Sequence, residues 1–145
     1  VSPEPLRQSS VVTYDVRIEI DKLDQMEGAI RFIDENDLEV GYAEFWDANI
    51  VTDATDGRTA MIPLSFDTTH LALSYHDILY NLRYREAAFL ENKSVFVLLP
   101  IADSLAFENT EPGRQSALAY EDAFFRIYTL DSPMVMWETI NQSQP

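Results

Sequence analysis

The chain has 145 residues, 25 Asp and Glu against 10 Lys and Arg, a formal net charge of -15 and no cysteine. This balance excludes direct binding of a nucleic-acid backbone, because phosphate contacts need Lys and Arg to displace counterions. The missing thiols exclude disulfides, thiolate metal sites and a cysteine nucleophile. With 46% hydrophobic and 12% aromatic residues the chain is not a disordered acidic tail. One domain is expected, burying about 68–70% of its extended-chain surface.

Pro3, Pro5, Ser9 and Ser10 make residues 1–10 read as an irregular leader. Val1-Ser2-Pro3-Glu4-Pro5 has no basic n-region and no apolar h-region, so no signal peptide is expected. Cytoplasmic is the simpler reading, with a mature secreted form left open. No stretch approaches the roughly 18–20 apolar residues of a membrane span.

Residues 11–140 read as a single α+β domain, and 141–145 as a frayed tail. Val12, Tyr14, Val16, Ile18 and Ile20 alternate with polar neighbours, which predicts a half-buried first strand. A second strand is predicted at about 27–34, with Ile30 and Phe32 on one face, and Asp34-Glu35-Asn36-Asp37 as the turn after it. A third strand runs from about Glu39 to Val51, its alternation slipping near Phe45-Trp46. After the Asp56-Gly57 turn, residues 59–66 form a short fourth strand, completing an antiparallel meander. Leu71, Tyr75, Ile78, Leu79, Leu82 and Phe89 predict a helix up to about Glu91, capped by Asp67, Thr68 or Thr69.

Ser94-Val95-Phe96-Val97-Leu98-Leu99 is a continuous apolar run that suits a central strand covered on both faces. Residues 101–113 read as a loop, and Arg114 to Phe124 or Phe125 as a second helix. Arg126–Leu130 and Met134–Glu138 read as two closing strands. The expected architecture is thus mostly antiparallel: four strands, helix, strand, helix, two strands, with two main helices.

Motifs for chemistry are sparse. His70 and His76 lie six residues apart on the predicted helix, about 120° around it, so they do not share a face. Asp34-Glu35-Asn36-Asp37 begins like a calcium loop but has Glu39 where Gly is needed and Phe45 where the bidentate Glu is needed. No metal site is expected. The glycines Gly28, Gly41, Gly57 and Gly113 are isolated, so no P-loop or dinucleotide fingerprint is present.

Val40-Gly41-Tyr42-Ala43-Glu44-Phe45 is similar to the third core strand of the GCN5-related N-acetyltransferases. The segment from Ser116 to Phe125 resembles that family's A-x-x-x-Y-E-x-x-G-F helix, with Phe124 in place of Gly. The resemblance covers residues 27–140 in element order and about 16 residues by motif. It implies acetyl-CoA as cofactor and Tyr120 as general acid. The family's R/Q-x-x-G-x-G/A pyrophosphate loop is replaced by Ser65-Phe66-Asp67-Thr68-Thr69-His70-Leu71-Ala72, which implies a lost cofactor site.

Charge points elsewhere. Residues 1–67 hold 15 acids and 5 bases, and residues 24–47 hold eight acids and one base, Arg31. The magnitude of the net charge exceeds the roughly 2–8 that suffices for solubility. Such a surface steers basic partners, and surplus aromatics supply interface hot spots. The reading is a non-enzymatic acidic interaction module that binds a basic protein surface and needs no cofactor. Inhibitors, immunity proteins and nucleic-acid mimics are of this kind, and the partner would be one that itself holds nucleic acid. The residues assigned to the partner are Asp15, Glu19, Asp34, Glu35, Asp37, Glu39, Glu44, Asp47 and Trp46. Tyr42, Tyr80, Tyr84 and Tyr128 join Trp46 as aromatics that would serve if they face outward. The alternatives are a divergent acetyltransferase acting through Tyr120 and an assembly component of a larger complex.

Overall fold

The computed structural model describes residues 10–76 and 86–142, with side chains from residue 22 onward. Its elements are α1 (Ser10–Glu35), β1 (Val40–Glu44), α2 (Phe45–Ala54), β2 (Ala60–Asp67), β3 (Ala72–Tyr75) and α3 (Ala87–Leu90). β4 (Val95–Pro100), α4 (Ile101–Glu108), α5 (Glu111–Arg114), β5 (Ser116–Glu121), β6 (Phe125–Leu130) and α6 (Val135–Gln142) complete the described chain.

The strands form one six-stranded sheet in the order β3-β2-β1-β4-β6-β5. β1 runs parallel to both β2 and β4, while β3, β5 and β6 pair antiparallel. The α+β class holds, but the sheet is mixed where a mostly antiparallel one is expected, and the described residues alone hold six helices where two main ones are predicted.

The parallel core explains the apolar runs. Val95 to Leu99 are buried without a break because helices cover both faces of β4. On one face Tyr42, Ile62, Val97, Leu99 and Tyr128 pack with Phe107 of α4 and Val135, Met136 and Ile140 of α6. On the other, Ala43, Met61, Phe96, Leu98 and Ile127 pack with Met26, Ala29 and Ile33 of α1 and with Ala48, Ile50 and Val51 of α2. Gly41 sits beneath the Phe96 ring, which occupies the space a Cβ would need.

Several expected elements change type. The two predicted strands at 12–20 and 27–34 both lie in α1. Met26, Ala29 and Ile33 recur at helical spacing and are fully buried, and that stripe docks on the sheet. The helix ends where Asp37 takes a left-handed conformation, φ 49°, and the Leu38 amide donates back to the Ile33 carbonyl at 3.1 Å.

The predicted third strand stops at Glu44, and α2 follows, so the slip at Phe45-Trp46 is a strand–helix junction. Asp67 accepts from the Thr69 and His70 amides, at 3.0 and 3.2 Å, as expected of a cap, but the turn it stabilises joins β2 to β3. Of the helix predicted up to Glu91, residues 72–75 are strand, Ala87–Leu90 are helical and 77–85 lie outside the described residues.

The predicted loop at 101–113 holds α4 and α5, the latter capped by Thr110 Oγ1 accepting from the Gly113 amide at 3.1 Å. The predicted helix at 114–125 is instead the exposed edge strand β5, held by its pairing with β6. The last predicted strand is α6, which continues through residues 141 and 142. Beyond the Ser132-Pro133 turn, Val135, Met136 and Ile140 bury against the sheet.

Candidate functional site

β1 ends at Glu44 and β4 at Pro100, side by side. From β1 the chain leaves through α2 onto one face of the sheet; from β4 it leaves through α4 onto the other. Connections that part in this way open a crevice beyond the carboxyl ends of the two strands, the usual place for a ligand in a sheet with parallel neighbours.

Charged side chains from four segments meet there. Glu44 is half-buried at the start of α2 and makes no capping hydrogen bond. Asp47, in the first turn of α2, is fully buried; its Oδ1 accepts from Lys22 Nζ of α1 at 3.0 Å, and its Oδ2 is buried without a partner. Asp103, in the first turn of α4, is half-buried and lies close enough to Glu44 to raise its pKa. Burial pushes Glu44 up to about 7, the Asp103 hydrogen bond and the charges of Asp103 and Asp47 add to this, and Lys22 opposes it.

The rim of this edge is apolar. Trp46 is 59% exposed, Leu105 of α4 70% and Phe124 48%. Phe124 belongs to the β5–β6 turn at the same edge, its carbonyl accepting from the Ile101 amide at 3.0 Å. Phe45 packs edge-on against Trp46 at 5.2 Å between centroids and stacks on His76 at 4.8 Å.

At the amino end of β1 the acids are solvated. Asp34, Glu35, Asp37 and Glu39 are all exposed. Asp34 pairs with Arg58 at 3.1 Å, and Glu39 Oε2 accepts from the Ser94 amide at 3.0 Å. A depression of about 210 Å³ lies between Asp34, Asp37, Glu39, Arg58 and Thr59.

The residues assigned to the partner thus divide. Asp34, Glu35, Asp37 and Glu39 gather at one end of β1, and Glu44, Trp46 and Asp47 at the other. Asp47 is enclosed and faces no partner directly. Side chains of Asp15 and Glu19 lie outside the described residues. Among the aromatics named from sequence, Tyr42 and Tyr128 are core residues, Trp46 is exposed, and Tyr80 and Tyr84 lie outside the described residues.

Tyr120 is on β5, not on a helix. It donates to Asp122 Oδ2 at 2.7 Å, and its ring packs on Phe32 of α1 at 5.3 Å. Gly28 leaves room for its hydroxyl. Burial and the Asp122 contact push Tyr120 up to about 12. The contact fastens α1 to β5.

Lys22, Asp103, Leu105 and Phe124 were not singled out from sequence. One signal bears on Asp103: it falls just beyond the carboxyl end of the one run readable as a central strand.

Among the described residues no three His, Cys, Asp or Glu side chains converge to hold a metal ion, and no helix is long and apolar enough to cross a membrane. No protein-family model, no curated protein and no solved structure matches this chain.

Proposed function

We propose that this chain is an acidic protein-recognition module for a basic protein surface, and that it binds through the carboxyl edge of β1 and β4. The observation that carries the reading is the coincidence of exposed Trp46, Leu105 and Phe124 with the carboxylates Glu44 and Asp103 on one edge. Large exposed aromatics beside charge are the composition of an interface hot spot. The net charge of -15 raises the encounter rate with a cationic partner and is screened by salt. Desolvated carboxylates under an apolar rim differ from the evenly spaced exposed charges of a nucleic-acid backbone. An inhibitor-like or immunity-like contact with a basic protein therefore fits better than imitation of phosphates.

The test is affinity capture at about 50 mM salt, with release at about 0.3 M, which crosses the range where screening becomes strong. Wild type is expected to retain a basic protein that the Trp46→Ala, Leu105→Ala double variant loses. Retention unchanged by those two truncations, or retention only of acidic proteins, overturns the reading.

A further inference from the structure

We infer that the outer edge of β5 takes up an extended, lysine- or arginine-bearing segment of the basic partner, which joins the six-stranded sheet as a further strand. This rests on the recognition reading above and names the form in which the partner arrives.

The sheet ends in β3 on one side and β5 on the other. β3 has four residues and β5 six, Ser116–Glu121. In an antiparallel pair alternate residues turn both main-chain groups away from the partner strand. β5 therefore presents a row of N–H and C=O groups that β6 does not reach. Among the described residues no main-chain hydrogen bond joins that row to a group outside the sheet. Ala117, Leu118, Ala119 and Glu121 are exposed, so the edge is open to solvent over most of its length. A chain in extended conformation is the ligand that satisfies such a row.

Protected edges carry Lys, Pro or inward-pointing charges. Residues 116–120, Ser-Ala-Leu-Ala-Tyr, carry none of these, and the two alanines leave the main chain reachable. The one interruption is a bulge at Ala119, between the pairs Leu118↔Tyr128 and Tyr120↔Ile127. A bulge bends and twists its strand. It works against a second copy of this chain, because pairing β5 with itself sets two bent strands against each other. The net charge of -15 on each chain repels a second copy as well. A single flexible segment follows the bend.

Charge sets the sign of that segment. Glu108, Glu111, Glu121 and Asp122 flank β5, against Arg114 and Arg126. Both arginines are engaged, Arg114 with Glu111 at 2.8 Å and Arg126 with Glu108 and Glu121. The surplus is negative, and a cross-strand lysine or arginine opposite Glu121 is favoured. Leu118 is 50% exposed and receives an apolar neighbour on the same strand. The strip is continuous with the rim described above, because β5 runs into the turn that carries Phe124.

The probe is a blocked hexapeptide of alternating lysine and valine. Its controls are the same peptide N-methylated at alternate residues and a peptide with glutamate for lysine. Amide NMR of the full chain at low salt follows the titrations. Binding should shift the amides of residues 116–121 and slow exchange of those turned outward. N-methylation removes about three hydrogen bonds and should weaken binding about tenfold or more. The acidic peptide should not bind. Leu118→Lys, an exposed change that charges the edge, should weaken binding several-fold, whereas Trp46→Ala, Leu105→Ala should leave the β5 shifts as they are. Shifts confined to the surroundings of Glu44 and Trp46, or binding that N-methylation leaves intact, overturn the edge and leave the basic-partner reading standing. Equal binding of the acidic peptide overturns the sign of the segment. A dimer in sedimentation without peptide, lost in Leu118→Lys, overturns the proposal in favour of a second copy. No binding at millimolar peptide overturns the edge, and if the capture above also retains no basic protein, both readings fall.

Discussion

The two ends of β1 carry acids of the same kind in opposite physical states. At the amino end, Asp34 and Glu39 are exposed and matched by Arg58 and the Ser94 amide. At the carboxyl end, Asp47 is fully buried against one ammonium, and burial with the neighbouring Asp103 carboxyl pushes Glu44 up to about 7. The strand between them is only five residues long, so about 16 Å of extended chain separates a solvating surface from a partly desolvated one. Charge count alone does not distinguish these ends. Burial does, because the free energy of a carboxylate depends on its surroundings far more than on its number of neighbours in sequence.

The largest expected effect tests the buried end. Lys22→Ala leaves the enclosed Asp47 carboxylate without a counter-charge. Removing one partner of a fully buried pair costs about 3–5 kcal/mol; about 2 kcal/mol is expected here, because Lys22 itself reaches water. Urea denaturation at pH 7.5 measures it, and a change no larger than that of a surface pair would erase the contrast.

Next in size is a pH effect. Glu44 binds its proton more tightly folded than unfolded, so the folded state holds more protons between the ordinary glutamate range and about pH 7. Stability therefore falls as pH rises through that window and levels off above it. Denaturation midpoints from pH 4.5 to 8 should show this decline in wild type, and Glu44→Gln should flatten it. A wild-type curve that rises across the window contradicts the assignment.

The smallest effects belong to the amino end. Arg58→Ala removes an exposed pair with Asp34 and should cost at most about 1 kcal/mol, with no change in the pH profile near 7. Asp37→Gly relieves a left-handed backbone position, φ 49°, and should stabilise by about 0.5 kcal/mol. Equal sensitivity of the two ends in the same assay would break the comparison.

Parts of this were legible in the sequence. The unbroken run from Val95 to Leu99 marks a strand covered on both faces, and β4 is one, lying between β1 and β6. The segments at β2 and β6 read correctly too. The errors fall where two periods compete or where pairing overrides propensity. In α1 the alternation of Val12 to Ile20 suggests a strand, yet Met26, Ala29 and Ile33 carry a helical stripe that is the part docked on the sheet. The segment from Ser116 to Glu121 is rich in Ala and Leu, good helix formers, but β6 supplies a hydrogen-bonding edge and makes it a strand. Within the site, Glu44, Trp46 and Asp47 could be named from composition, whereas Asp103 lay in a predicted loop and Lys22 between the first two predicted strands. Their distance in sequence hides a meeting that only parallel pairing of β1 with β4 produces.

By itself, then, the sequence determined the solvent-facing character of the molecule: an acidic chain with a full apolar core, no thiol chemistry, no glycine-rich phosphate loop, and one certain central strand. Those properties are local sums of residue chemistry. The tertiary structure decided which acids are ordinary and which are not, because desolvation and mutual repulsion depend on through-space neighbours. The departure of α2 and α4 to opposite faces set Glu44, Asp103 and Asp47 together under an apolar rim, and left Asp34, Asp37 and Glu39 in water.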